Sequence, residues 1–149
     1  MSAHSHHASD PLILKEQLKK IGARFTRVRK AILDILSHHQ EPISVPDMLA
    51  CLSHEELNIN KTTAYRELDF LLKQGIIHEL DFGDRKKHYE LSDRGHHHHL
   101  ICEQCHSIQD IEFEEDLKKE EEKITKSTGF HIKRHALEFF GLCEKCQNI

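Results

Sequence analysis

Two cysteine pairs, Cys102-Glu103-Gln104-Cys105 and Cys143-Glu144-Lys145-Cys146, mark the last third of the chain. Each C-x-x-C pair supplies two soft thiolates, and two pairs complete the tetrahedral donor set of a structural zinc. A single pair reads equally well as a redox dithiol. That reading, however, expects a strand and a helix around the pair, with the first cysteine at the helix N-terminus, and neither pair shows that setting in the sequence. The 37 residues between Cys105 and Cys143 are many for a local zinc ribbon. Zinc there would tie the chain's end back onto an earlier strand and close a whole small domain.

A run of four histidines, His96, His97, His98 and His99, stands just before the first pair. Successive side chains of a strand point to opposite faces. His96 and His98 therefore project one way, and His97 and His99 the other, as two metal half-sites back to back. Neutral imidazole suits zinc, iron, nickel or copper, and carboxylates complete such sites. An exposed polar edge is the plain alternative, and it weakens when four histidines adjoin a zinc knuckle. Sequence with structural periodicity continues on both sides, which excludes an expression tag.

The elements that must position these residues fall into two blocks. Asp10-Pro11 opens a first helix carrying Leu14, Leu18 and Ile21, and Gly22 stops it. Thr26 caps a second helix with Val28, Ile32, Ile35 and Leu36 inward, broken at His38-His39-Gln40-Glu41-Pro42. Ser44-x-x-Asp47 has the form of a capping box and opens a third helix through Met48, Leu49 and Leu52, with Cys51 as a small buried filler. Asn60 caps a fourth helix over residues 61–74, with Ala64, Leu68, Leu71 and Leu72 inward. Thr62, Thr63, Arg66, Asp69 and Lys73 remain on its outer side, with Tyr65 at the boundary. Residues 76–81 and 87–91 flank a Phe-Gly-Asp-Arg turn as a hairpin. That order is a winged helix, whose last helix enters the major groove of DNA. The second block reads as strands over 97–102 and 107–112, an acidic helix over 114–127 and a strand over 130–140. Such a sheet is too small to hide both faces alone, and a zinc staple and a partner copy are the usual remedies. The fold class is α+β: a flexible His-containing leader over 1–11, a winged-helix domain with hinge over 12–91, and a small α/β metal-binding dimerisation domain over 92–149.

Composition narrows the function. The 149 residues carry a net charge of −4 that hides an asymmetry. Residues 1–88 hold 13 Lys/Arg against 12 Asp/Glu, whereas residues 89–149 hold 8 against 13. Between Leu12 and Lys30 lie seven basic residues and one acid, Glu16, a concentration that suits a polyanion. A charge run of this kind also occurs as a solvated helix face. No apolar run approaches the roughly 18 residues of a membrane span, and the His-rich start lacks the charged and apolar regions of a signal peptide. A cytoplasmic protein is expected, in which thiols stay reduced and bind metal.

Thr62-Thr63-Ala64-Tyr65-Arg66, the segment from His96 to Cys105 and Gly141-Leu142-Cys143-x-x-Cys146 together resemble the ferric uptake regulator superfamily, and the likeness runs from about residue 12 to Gln147. The resemblance implies a homodimer joined through the C-terminal block, with regulatory metal closing two winged helices onto a palindromic operator, usually to repress. It makes Cys102, Cys105, Cys143 and Cys146 the structural zinc site. It matches Glu90, His97 and His99 to the interdomain sensing site, and His96, His98 and His135 to a second site in the dimer domain. Tyr65 and Arg66 match the base-contacting pair, and Arg24 and Arg29 match basic positions that touch the DNA backbone or minor groove. Pro42 falls where many members place a histidine ligand. His38 and His39 lie nearby, and His78 on the first wing strand is the better replacement, because zinc-sensing members place a ligand there. Lys118 falls where the second site usually has an acid; Glu121, one turn on, could reach the same place. Asp110 matches a further acidic position of some members.

The implied cofactors are a structural Zn2+ and a regulatory Zn2+ or Fe2+, with Mn2+ as a third candidate. The implied partners are double-stranded operator DNA and a second copy of the chain, with no membrane and no small-molecule substrate beyond metal ions. Three histidines and one carboxylate suit tetrahedral zinc, which puts zinc modestly ahead of iron. A peroxide-, manganese- or nickel-responsive regulator of the same family is the alternative. A zinc hydrolase or deaminase is disfavoured, because the H-x-E and P-C-x-x-C pattern is missing, and no enzymatic role is expected. A zinc or nickel storage or chaperone protein could use the histidines but has no need of the capped helical block.

Overall fold

The structure, a computed structural model, describes residues 10–95, 97–112 and 117–148. The chain divides into two compact units, Met1–Gly95 and His96–Ile149. Residues 1–9 of the expected leader and His96 lie outside the described residues, and the leader's last two residues instead cap and open the first helix.

Local capping chemistry sets the helices of the first unit. α1 (Pro11–Lys20) starts where the Asp10 carboxylate accepts from Leu12 N at 2.9 Å. α2 (Arg27–His38) starts where Thr26 Oγ1 accepts from Arg29 N at 3.2 Å. α3 (Val45–His54) opens on Ser44, whose hydroxyl accepts from Asp47 N and donates to the Asp47 carboxylate. α4 (Lys61–Lys73) opens on Asn60 Oδ1, which accepts from Thr63 N at 2.8 Å. Each cap satisfies donors that a helix start leaves unpaired. Gly75, at φ +67°, turns the chain out of α4 in a conformation that an L side chain rarely adopts.

Leu14 and Leu18 of α1, Ile32, Leu33 and Leu36 of α2, Met48 and Leu52 of α3, and Leu68 and Leu71 of α4 meet in one core. β2 (Ile77–Asp81) and β3 (Lys87–Leu91) form the expected hairpin, adding Ile77, Tyr89 and Leu91 to that core. A third strand, β1 (Ile43–Ser44), completes a sheet of order β1-β3-β2. Two residues carry no period, so the sequence could not announce it. Helices followed by this hairpin make a winged helix. Cys51 departs from expectation: it is half-buried at the core's margin, its Sγ 3.9 Å from His39 Nε2.

In the second unit, β4 (His98–Cys102) is the central strand of the order β5-β4-β6. β5 (Ile108–Ile111) pairs with it antiparallel, and β6 (Glu138–Gly141) pairs with it parallel. The strand expected over 130–140 is therefore much shorter. Its ladder opens at Glu138 opposite His99, and β4 itself begins only at His98, so residues 130–136 lie beyond the start of that strand. α5 (Lys118–Thr128) buries none of its residues, and the first part of the helix expected over 114–127 lies outside the described residues. A short α6 (Glu144–Gln147) follows β6. Among the described residues no helix is long and apolar enough to cross a membrane.

Candidate functional site

The parallel β4–β6 ladder builds the cysteine site. Its register sets Gly141 opposite Cys102, and Cys143 follows two residues later. Beyond Cys102 the chain turns tightly, with His106 N donating to Cys102 O at 2.9 Å, which returns Cys105 beside Cys102. Cys143 sits at the start of α6, and Cys146 N donates to Cys143 O at 2.9 Å. The sequence expectation that neither pair would meet a strand and a helix fails here, because Cys143 follows β6 and caps α6. What separates this site from a redox dithiol is convergence: one sulfur from each of the four cysteines lies within 4.8 Å of the others.

The donor set fits zinc in size and chemistry. Zinc–sulfur bonds of about 2.3 Å in a tetrahedron give sulfur–sulfur edges of about 3.8 Å, and Cys105 Sγ lies 3.7 Å from Cys143 Sγ. Backbone N–H groups of Cys105 and Cys143 hold the Cys102 thiol down at about 6, the latter reaching its sulfur at 3.4 Å. The Ser107 hydroxyl, 3.2 Å from Cys105 Sγ, lowers that thiol too. The neighbouring Cys143 sulfur, with burial, pushes Cys146 up to about 12. Crowded sulfurs cannot all shed their protons unaided; a bound cation removes that conflict.

The histidine strand presents two faces, as its period requires. The His97 and His99 rings stand edge to face, 4.9 Å apart. His99 is buried and lies directly across from Asp110 on β5, its Nε2 3.8 Å from the Asp110 carboxylate. His98 stacks on His135 with ring centroids 6.1 Å apart. His98 Nδ1 lies 3.0 Å from the Leu137 carbonyl, which can only accept, so Nδ1 carries a proton and, in the neutral ring, Nε2 is the nitrogen left to bind metal. His135 Nδ1 contacts Glu121 Oε1 at 2.7 Å. Glu121, the carboxylate that the sequence suggested as a ligand, thus lies against His135 in this structure. The Leu137 carbonyl and Ser107 hydroxyl carried no sequence signal, since any residue supplies a carbonyl and serine is common.

In the winged-helix unit, His78 is exposed on β2 and directly opposes Glu90 on β3. Glu90 is buried and receives Arg94 Nη1 at 3.1 Å. Arg94 was missed in the sequence, although its i+4 spacing from Glu90 was readable. His38 Nδ1 lies 2.6 Å from Asp34 O, at the end of α2, and Pro42 is buried.

On α4, Thr62, Tyr65 and Arg66 are exposed and Thr63 is half-buried. Lys61 Nζ stands 5.8 Å from the Tyr65 ring centroid. Arg24 is exposed, but Arg29 is only 8% exposed. The sequence placed Arg29 on a surface basic run; its guanidinium is instead enclosed by Glu67, the Arg24 carbonyl and the Phe70 ring. In this structure Nε and Nη2 face Glu67 and Nη1 faces the Arg24 carbonyl.

A winged helix joined to a unit closed by four cysteines defines a class, and the comparisons define the family within it. The model of the ferric uptake regulator family matches residues 20–140, and the chain belongs to that family of metal-responsive DNA-binding regulators. It is 33% identical over 144 residues to the ferric uptake regulation protein of Campylobacter jejuni, covering 91% of this chain and 90% of that protein. It is also 33% identical over 132 residues to the peroxide-responsive repressor PerR of Staphylococcus aureus, covering 88% of this chain and 87% of that protein. The solved Helicobacter pylori ferric uptake regulator shares the fold, with a TM-score of 0.74 at 24% identity over 91% of this chain and 90% of that one.

Proposed function

We propose that the protein is a cytoplasmic, metal-dependent repressor of metal-homeostasis genes that binds palindromic operator DNA as a homodimer. The observation that carries this reading is the four-sulfur cluster closing a unit downstream of a winged helix. Cys102, Cys105, Cys143 and Cys146 hold structural zinc, and the C-terminal unit pairs with a second copy. Its exposed Phe130, Phe139, Phe140 and Leu142 support that pairing.

The regulatory ligands are His78, Glu90, His97 and His99, two from the wing hairpin and two from the histidine strand. A bound divalent cation supplies a fixed ligand geometry there. Ligands from both sides of a hinge share one cation well in one arrangement only, so metal shifts the population by its differential affinity. His96, His98 and His135 form the second site, with Glu121 orienting His135. Tyr65 and Arg66 read base edges, Thr62 and Thr63 flank them, and Arg24 meets the backbone.

Three histidines and one carboxylate favour zinc as the sensed metal. Iron(II) is the second reading, favoured by Asp110 beside His99: a further oxygen donor suits iron or manganese geometry better than tetrahedral zinc.

The test is selection from a random duplex library by the zinc-loaded protein, with zinc, iron(II) or manganese added. A storage protein recovers no preferred duplex. A repressor recovers a palindrome with one of these metals and loses it to a chelator that spares the cysteine-bound zinc.

A further inference from the structure

Arg29 sits between three parts of the winged-helix unit. It belongs to the first turn of α2, yet its side chain crosses to α4. Its Nε and Nη2 reach the same Glu67 Oε2 at 3.0 and 2.9 Å. Nη1 reaches the Arg24 carbonyl at 2.6 Å. The guanidinium carbon lies 4.0 Å from the Phe70 ring centroid. Both charged side chains are largely enclosed, at 10% and 14% exposure.

We infer that the Arg29–Glu67 pair is the positioning strut of the DNA-reading surface. This rests on the DNA-binding reading proposed above. Glu67 directly follows Arg66 on α4, and the Arg24 carbonyl belongs to the exposed arginine before α2. One planar fork therefore fixes the rotation of α4 about its axis and the path of the segment bearing Arg24. A guanidinium presents several donors in a rigid plane, so it can hold both partners at once. Lysine, with one point charge, cannot span them in the same geometry.

The sign of one substitution separates this role from direct contact. Glu67 is an acid beside a proposed polyanion surface. By charge alone, Glu67→Gln should tighten DNA binding, since it removes repulsion. The strut predicts the reverse, because the fork loses its charged anchor.

The experiment uses full-length, metal-loaded protein and the duplex that the wild type selects from a random library, with a scrambled duplex as control. Glu67→Gln, Arg29→Ala and the double variant are measured across a salt series below their melting temperatures. A fourth variant, Arg29→Met with Glu67→Leu, keeps the volume apolar and guards against failure to fold. The expected result is a loss of about tenfold for the selected duplex in each single variant. The double variant should be no worse than either single one, and the salt slope should be unchanged. The apolar pair should melt like the wild type yet discriminate poorly between the two duplexes. If Arg29→Ala flattens the log–log salt slope by about 0.9, the worth of one phosphate contact, Arg29 touches DNA and the inference falls. Binding by Glu67→Gln as tight as or tighter than wild type also overturns it. A wild type that selects no duplex overturns the DNA-binding reading itself.

Discussion

The two units of this chain reach order by different means. Every member of the main buried cluster lies between Leu14 and Leu91, in the winged-helix unit. In the other unit, the buried residues among those described are Ile101, Cys102, Ile108 and Cys146, with His98 and His99. There α5 buries nothing, and Phe130 and Phe140 stand 67% and 51% exposed. Apolar burial stabilises the first unit directly. The second buries metal ligands where a core would be, which fits the zinc and the partner copy proposed for it. A regulator gains from this division: one unit keeps its shape, and the other depends on what it binds.

Breaking the cysteine site should have the largest effect. Structural zinc contributes about 10–16 kcal/mol to small zinc domains, far more than a typical domain's margin. Cys102→Ser or Cys143→Ser should yield a monomeric or misfolded C-terminal unit while the winged-helix unit still melts cooperatively, read by sedimentation and circular dichroism. A zinc-free variant that stays a normal dimer would sink this division. In the winged-helix unit, Leu68→Ala should cost about 2–5 kcal/mol by leaving a core cavity, with the cysteine-bound zinc retained.

Next in size is the metal switch. His78→Ala should abolish metal-dependent duplex binding while dimer and cysteine-bound zinc persist. A normal response in that variant, with loss in His39→Ala, reassigns the ligand and removes most of the case for zinc over iron.

Arg66→Ala should cost about 1–3 kcal/mol for the selected duplex and relax its sequence preference. Lys15→Ala or Lys19→Ala should instead weaken all duplexes alike and flatten the salt slope. Equal losses on selected and scrambled duplexes for Arg66→Ala would remove its base-reading role.

The smallest effect concerns thiol chemistry. When a chelator strips zinc near neutral pH in the presence of an alkylating agent, Cys105 should be trapped before Cys146, ahead of any unfolding of the unit. The Cys105 thiol has its folded pKa lowered by Ser107 and is exposed, so its thiolate forms more readily than an ordinary cysteine's. Cys146 is buried and pushed up to about 12, so its thiolate appears only in strong base. Mass spectrometry of peptides reads the order, and Cys146 reacting first contradicts it.

Legibility followed the same division. Caps, helical periods and the hairpin were plain in residues 10–91 because each rests on local spacing. The cysteine spacing also announced that the chain's end returns to an earlier strand, and β6 lies along β4. What failed depended on distant partners. Residues 130–137 are not strand because the pairing ladder begins only at Glu138. Arg29 sat in a basic run and read as surface, since nothing local shows that Glu67 and Phe70 enclose it. The contact between Glu121 and His135, 14 residues apart, likewise depends on how the chain folds back.

In the function proposed above, regulatory metal and DNA are coupled through one protein. Coupling between two binding equilibria is reciprocal. The direct measurement is a calorimetric titration of the regulatory metal into protein with its cysteine zinc in place, with and without the selected duplex. The account predicts that duplex tightens the metal by the same factor as metal tightens the duplex. Equal metal affinity in both titrations would contradict it.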